Sequence, residues 1–117
     1  MTKRKARPIL EDMLAYAEEA RDILAGRDGA ALRADRMRLL AVTRAVEIVG
    51  EAANQLPPDI SASITFDLSP AIAMRHRLIH GYDSVSADIV AKTVRDDFPA
   101  LIQSLRATLS LQLPDEA

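Results

Sequence analysis

The sequence predicts an all-α protein: an up-and-down bundle of four to five helices that forms dimers. Hydrophobic residues make up 49% of the 117 residues but aromatic residues only 3%, so the core must be aliphatic. Such a composition disfavours a β-sandwich or β-barrel. Apolar residues instead recur at three- and four-residue steps, which is the pattern of amphipathic helices. Several of these apolar stripes are broad for so short a chain, which favours burial of the surplus in a dimer.

Length and composition limit the number of domains and the classes of function that the chain can have. The chain fits one domain, residues 1–117, with flexible ends at residues 1–7 and 114–117. Without cysteine there is no disulfide or thiolate metal site, which suits the cytoplasm. Glu11 and Asp12 interrupt the basic start, so no signal peptide is expected, and no run approaches the roughly 20 apolar residues of a membrane span. Because the net charge is −2, any RNA must use a local basic patch.

The first helix is predicted over residues 7–29. Pro8 suits the first turn, where its missing N–H is no loss, and acidic residues follow near the positive end of the helix dipole. Gly26 and Gly29 bracket the exit of the helix. Its apolar stripe joins Ile9, Met13, Tyr16, Ala17, Ala20 and Leu24.

A second, longer helix is predicted over residues 34–58, where two prolines stop it. Gly50 lies in its middle and costs about 1 kcal/mol relative to alanine. Either a close helix crossing or evolutionary drift explains this glycine. Glu47 and Glu51 lie one turn apart, which indicates either a solvated face or two carboxylates that face a neighbouring site.

Residues 58–70 are predicted to be a loop with apolar anchors. Ser69 then offers an N-cap, and Pro70 suits the first position of a short third helix over residues 71–80. Gly81 is a natural stop for that helix. The anchors of the loop are Ile60, Ile64 and Phe66.

The last predicted helix is long. Asp83, Ser84 or Ser86 can cap its start. Pro99 removes one backbone hydrogen bond and disfavours helical geometry at Phe98, so we expect a kink or two helices meeting end to end.

The stretch RHRLIHGY, residues 75–82, gathers the scarcest reactive side chains of the chain at a helix end. Arg75 and His80 are separated by about 140° around the helix axis, and both are long enough to flank its C-terminal end. A glycine then lets Tyr82 turn back beside His80. A cation, an imidazole and a phenol are therefore expected to converge there.

This set suits attack of an RNA 2′-hydroxyl on the adjacent phosphate. His80 would accept the hydroxyl proton, and Arg75 would stabilise the charge on the phosphorane. The reaction needs no metal and no cofactor. One histidine cannot be acid and base at once, so a two-fold dimer that brings two such helix ends together would supply the second set.

Other interpretations of the same turn stay open. His80 suits a plain C-terminal cap that interacts with the helix dipole. His76 and His80, four residues apart, could bind a metal, although only Asp83 is near in sequence as a third ligand. Tyr82 could serve packing alone, and Arg77 is expected to face solvent, a partner or RNA.

The motif resembles that of the HepT-like proteins, a branch of the HEPN superfamily. RHRLIHGY fits their R-x4-H-x-Y pattern, with Arg75, His80 and Tyr82 on the defining positions and His76 in the polar position after the arginine. The upstream segment VEIVGEAANQLP is similar to the family's E-I-x-G-E-A helix. The similarity spans residues 8 to 112.

The resemblance implies a helical bundle that dimerises with its motifs facing across a cleft. It implies a toxin of a toxin–antitoxin system, acting as a metal-independent endoribonuclease with Arg75 and His80 as catalytic residues. His76, Glu47 and Glu51 are expected to support the site. It also implies a partner, an MntA-type minimal nucleotidyltransferase, which would neutralise the toxin by transferring AMP to Tyr82.

Two other functions remain as alternatives. The protein could be a non-catalytic helical partner of the nucleotidyltransferase, with the same turn holding nucleotide or RNA phosphate. It could also be a structural dimer whose polar turn is a cap and ion-pair cluster.

Overall fold

A computed structural model describes residues 5–63, 68–80 and 86–116, and within these ranges it contains helices and no strand. None of the helices it describes is long and apolar enough to span a membrane. A π-helical turn, Thr93–Asp97, joins the last two α-helices, and a 3₁₀ turn, Pro114–Glu116, follows them. The α-helices in these ranges are α1 (Ala6–Leu24), α2 (Gly29–Arg33), α3 (Arg36–Gln55), α4 (Pro58–Ser63), α5 (Ser69–His80), α6 (Ala87–Lys92) and α7 (Phe98–Leu109).

The core of the bundle lies between its long helices. Helix α1 packs chiefly on α3 and α7, α5 packs on α3, and the short α2 packs on α6. The predictions of an all-α bundle and of an aliphatic core are confirmed, and Phe98 is the one aromatic side chain among the fully buried residues that the structure describes. The largest fully buried side chains are Phe98, Ile9, Leu10, Met13, Leu24, Leu32, Ile60, Leu105, Val42, Val46, Val49 and Val90.

Helix α1 ends earlier than the sequence predicts. Ala25 adopts the left-handed conformation with φ 48°, and Gly26 follows with φ 75°. The Asp28 side chain then caps α2, a five-residue helix that the periodicity did not reveal, by accepting a hydrogen bond of 2.9 Å from the Ala31 N–H. Asp35 caps α3 in the same way. The link predicted between the first two long helices therefore contains an additional short helix, and both α2 and α3 begin with a capping aspartate.

The predicted loop over residues 58–70 is wrong in its first half, because Pro58–Ser63 forms α4. The carbonyl of Pro57 accepts hydrogen bonds from the N–H groups of Ile60 and Ser61 at 3.0 and 2.9 Å. Ile60 is buried, as expected of an anchor. Residues 64–67, with the other two anchors, lie outside the described ranges.

The proline of the last helix is accommodated by a wide turn. Pro99 has no N–H to donate, and the Phe98 N–H donates to the Thr93 carbonyl five residues back, which is the π-helical pattern. The helices α6 and α7 therefore meet end to end through this turn. Ser86 caps α6 by accepting a hydrogen bond from the Asp88 N–H at 3.1 Å, as one of the predicted caps.

The two ends of the described chain are joined by an arginine–glutamate pair. The guanidinium of Arg7 donates to the Glu116 carboxylate from Nε at 2.7 Å and from Nη2 at 3.0 Å. It also donates to the carbonyls of Leu109 and Leu111, each at 2.9 Å. Leu113 is buried, and its N–H donates to Glu116 at 2.9 Å. These contacts link the start of α1 to the 3₁₀ turn that holds Glu116. The flexibility expected for residues 1–7 and 114–117 stays a prediction.

The pair predicts a pH dependence of stability. The hydrogen bond from Arg7, followed by that from the Leu113 N–H, lowers the pKa of Glu116 from 4.5 to about 2. Because the folded-state pKa is the lower one, the contact stabilises the fold fully above about pH 5, and this contribution is lost as the pH falls toward 2. Urea unfolding midpoints of the wild type and Glu116→Gln should therefore differ most above about pH 5 and converge near pH 2.

Glu19→Gln, at an exposed site on α1, is the control with the same change of charge. Parallel midpoint curves for Glu116→Gln and the wild type at every pH would contradict the prediction.

Candidate functional site

Helix α5 carries the motif predicted from the sequence, and His80 is its last residue. Met74 is buried in the core, the neighbouring Arg75 is half-buried, and His76 and Arg77 are exposed. The exposure of Arg77 agrees with expectation. The side chains of residues 78–80 and all of residues 81–85, including Tyr82, lie outside the part of the chain that the structure describes, so the approach of His80 and Tyr82 to Arg75 stays a prediction.

Helix α3 crosses α5 at Gly50. A Cβ atom built on Gly50 would lie 2.5 Å from the Cβ of Arg75 and closer still to the carbonyl oxygen of Ala71. Real Cβ atoms essentially never make contacts under 3.0 Å. The close crossing, one of the two explanations offered for this glycine, therefore accounts for it.

The Nε atom of Arg75 is buried and has no hydrogen-bond partner among the described residues. Leaving a buried donor unsatisfied costs about 1 to 3 kcal/mol. Guanidinium N–H groups bind phosphate oxygens through short, charge-assisted hydrogen bonds. The protein thus holds in the middle of α5 a cation whose Nε donor is not used by the described part of the fold.

The two glutamates of α3 have different surroundings. Glu47 forms an ion pair of 2.9 Å with Arg44, one turn earlier on the same helix. Glu51 instead lines a shallow groove between α1 and α3, together with Asp12 and Gln55. Glu47 therefore fits the interpretation as a solvated face. The supporting roles expected for Glu47, Glu51 and His76 stay predictions.

The outer face of α5 is an open depression that the sequence did not reveal. It combines apolar and basic side chains. Ile72, a large apolar residue, keeps 37% of its surface exposed there. In the sequence, such a face was indicated only by apolar stripes that are broad for so short a chain. The depression is lined by Ser69, Ile72, Ala73, His76 and Arg77.

The all-α bundle, with a half-buried arginine in the middle of a short helix whose last residue is histidine, is consistent with the HEPN-like bundle that the resemblance implies. A family model described as ribonuclease HepT-like matches residues 13–108, which is most of the chain. The protein therefore belongs to the HepT-like ribonuclease family.

The chain is similar to curated proteins of two organisms. A protein of Thermococcus cleftensis described as a probable ribonuclease HepT is 38% identical over 73 residues, which is 57% of this chain and 62% of that protein, less than two thirds of its length. Two proteins of Methanocaldococcus jannaschii, each described as a candidate RNase, are 28% identical over 102 residues, covering 86% of this chain and 88% and 94% of theirs. No solved structure matches the chain.

The unsatisfied Nε predicts that the arginine is costly for folding. Arg75→Met removes the donor and keeps a long apolar side chain, so we expect the free energy of unfolding in urea to rise by about 1 kcal/mol. Arg77→Met, at an exposed site on the same helix, should stay within about 0.5 kcal/mol of the wild type. A clear loss of stability in Arg75→Met alone would indicate that the guanidinium has a stabilising partner in the fold.

Proposed function

We propose that this protein is a metal-independent endoribonuclease, the toxin of a toxin–antitoxin system, that acts in the cytoplasm as a homodimer. Membership of the HepT-like ribonuclease family supports the reaction class. The observation that carries the assignment to α5 is Arg75, a cation that is only half-buried, so that the residue stays partly open to a phosphate group. His80, at the end of the same helix, supplies the titratable group.

The proposed reaction is a transfer within the RNA chain. The 2′-oxygen attacks the adjacent phosphorus while His80 of one subunit accepts the 2′-hydroxyl proton. Arg75 stabilises the negative charge that grows on the phosphorane oxygens. The bond from phosphorus to the 5′-oxygen then breaks, and a protonated His80 of the second subunit donates a proton to that oxygen. The products are a 2′,3′-cyclic phosphate and a 5′-hydroxyl.

The dimer is proposed from the needs of this chemistry and from the outer face of α5. One histidine supplies one proton acceptor, so acid and base require two copies. The depression beside His76 and Arg77 contains the partly exposed Ile72, which suits an interface with an apolar centre and a basic edge. Two copies joined along this face would bring their α5 ends toward a common cleft for RNA.

Substitution of the two proposed catalytic residues tests the reaction. Arg75→Ala and His80→Ala should each lower the rate of RNA cleavage about 10² to 10⁴-fold, because each removes a group that acts in the transition state. The wild type should keep its rate in EDTA. Cleavage is followed on a labelled RNA, with the cyclic phosphate identified by mass spectrometry.

Arg36→Ala, at an exposed position at the start of α3, is the matched loss of one arginine and should cleave like the wild type. Equal cleavage by all of these variants would remove Arg75 and His80 from the mechanism.

We further propose that an MntA-type nucleotidyltransferase silences the toxin at Tyr82. The phenol oxygen of Tyr82 would attack the α-phosphorus of ATP, releasing pyrophosphate and leaving AMP on the tyrosine. The added phosphate would carry negative charge to the place where Arg75 must receive the substrate phosphate, and so block it.

Incubation with ATP and the nucleotidyltransferase should therefore add one or more AMP units to the protein, located at Tyr82 by tandem mass spectrometry, with loss of RNA cleavage. Tyr82→Phe should cleave RNA and resist silencing. Modification at a different residue, with Tyr82 unchanged, would refute this mechanism of neutralisation.

A second candidate is a non-catalytic partner of the nucleotidyltransferase that binds one nucleotide or RNA phosphate at the same turn. The net charge of −2 opposes an extended RNA contact and is compatible with such local binding. In that case the wild type would bind RNA without cutting it. Binding would be lost in Arg75→Ala and kept in His80→Ala.

A further inference from the structure

Helix α3 crosses α5 at one particular turn of α5, the turn that ends at Arg75. The two α5 atoms nearest to position 50 belong to Ala71 and Arg75, which are four residues apart. In an α-helix the N–H of a residue donates to the carbonyl four residues earlier, so these two residues close the backbone turn that carries the arginine. Any side chain at position 50 would press on that turn and on the first carbon of the Arg75 side chain.

We propose that Gly50 is a positioning residue for Arg75: its missing side chain sets the depth at which the guanidinium is held beside α3. This inference rests on the proposed ribonuclease function, because it assigns Gly50 a role in catalysis that operates through Arg75. Gly50 itself contacts no reacting atom.

The required displacement is large enough to matter for catalysis. Ordinary van der Waals contact begins at 3.4 Å, whereas a Cβ at position 50 would meet the Arg75 Cβ at 2.5 Å. Either α5 or the Arg75 side chain must therefore move by about 1 Å, a misplacement that can lower a rate about 10²-fold.

The crossing also controls the exposure of the guanidinium. The core residues Val46 and Ala53 lie on the same side of α3, one turn before and one turn after Gly50, and both are buried. Helix α3 is thus packed into the core on both sides of the glycine. This close packing is compatible with the complete burial of the Arg75 Nε, and a wider crossing would admit water to it.

The first test is Gly50→Ala in a double-mutant cycle with Arg75→Ala. We expect Gly50→Ala to lower kcat for RNA about 10²-fold with KM nearly unchanged, because the arginine acts mainly in the transition state. In the Arg75→Ala background the same change should lower kcat less than about 2-fold, since the residue through which it acts is absent.

A purely structural role of Gly50 gives a different result. Both backgrounds keep a Cβ at position 75 and the Ala71 carbonyl, so a general loss of folded protein would lower kcat by the same factor in each. Equal factors, or an unchanged kcat in Gly50→Ala, would overturn the proposal.

The second test does not depend on ribonuclease activity. In the wild type, the Hε of Arg75 should exchange with solvent more slowly than that of the exposed Arg36, as measured by NMR of the arginine side chains. Gly50→Ala should remove this protection and shift the Arg75 signal. Ala41→Gly, the reverse change at an exposed site of α3, should leave the protection of the Arg75 Hε and the position of its signal unchanged.

These readouts separate the two hypotheses. If the wild type cleaves no RNA but Gly50→Ala still exposes the Arg75 Hε, the proposed function fails and the positioning of Arg75 by Gly50 stands. An unchanged Hε signal in Gly50→Ala overturns the positioning role whatever the activity. Should Gly50→Ala be unfolded in buffer, both measurements are made with trimethylamine N-oxide, which favours the folded state.

Discussion

The contact on which the candidate site depends is the approach of α5 to the backbone of α3 at Gly50. The carbonyl of Ala71 and the Cβ of Arg75 occupy the space that any side chain at this position would need. Buried residues on both sides of the glycine, Val46 and Ala53, fasten α3 into the core. The place of the arginine is therefore set by the packing of two helices, and among the described residues no hydrogen bond holds its Nε.

This arrangement explains why a charged side chain is only half-buried in an aliphatic bundle. A fully buried guanidinium without a partner would cost far more than a small fold can tolerate, and a fully exposed one would be mobile and hydrated. Half-burial keeps Nε out of water and leaves the residue as a whole partly exposed. A group in this state loses little by binding an anion, since part of its hydration is already gone.

Much of the fold could be predicted from local sequence signals. The long helices α1 and α3 follow from apolar residues at three- and four-residue steps, and the start of α6 follows from the capping serine at position 86. Gly50 could be recognised as an unfavourable residue within a helix, which either a close crossing or drift would explain, but the sequence did not indicate which helix would cross it. Arg75 was chosen by its chemistry and its place in a motif.

The remaining features depend on contacts between distant parts of the chain. Helices α2 and α4 have five and six residues, too few to display a periodic pattern, and α2 is supported by packing on α6. The pairing of Arg7 with Glu116 joins residues 109 positions apart, beyond the reach of any local pattern. The burial of the Arg75 Nε is of the same kind, because it depends on how closely a second helix approaches. The residue types of a candidate site can thus be inferred from one turn of sequence, whereas the packing around them is a property of the helix crossing.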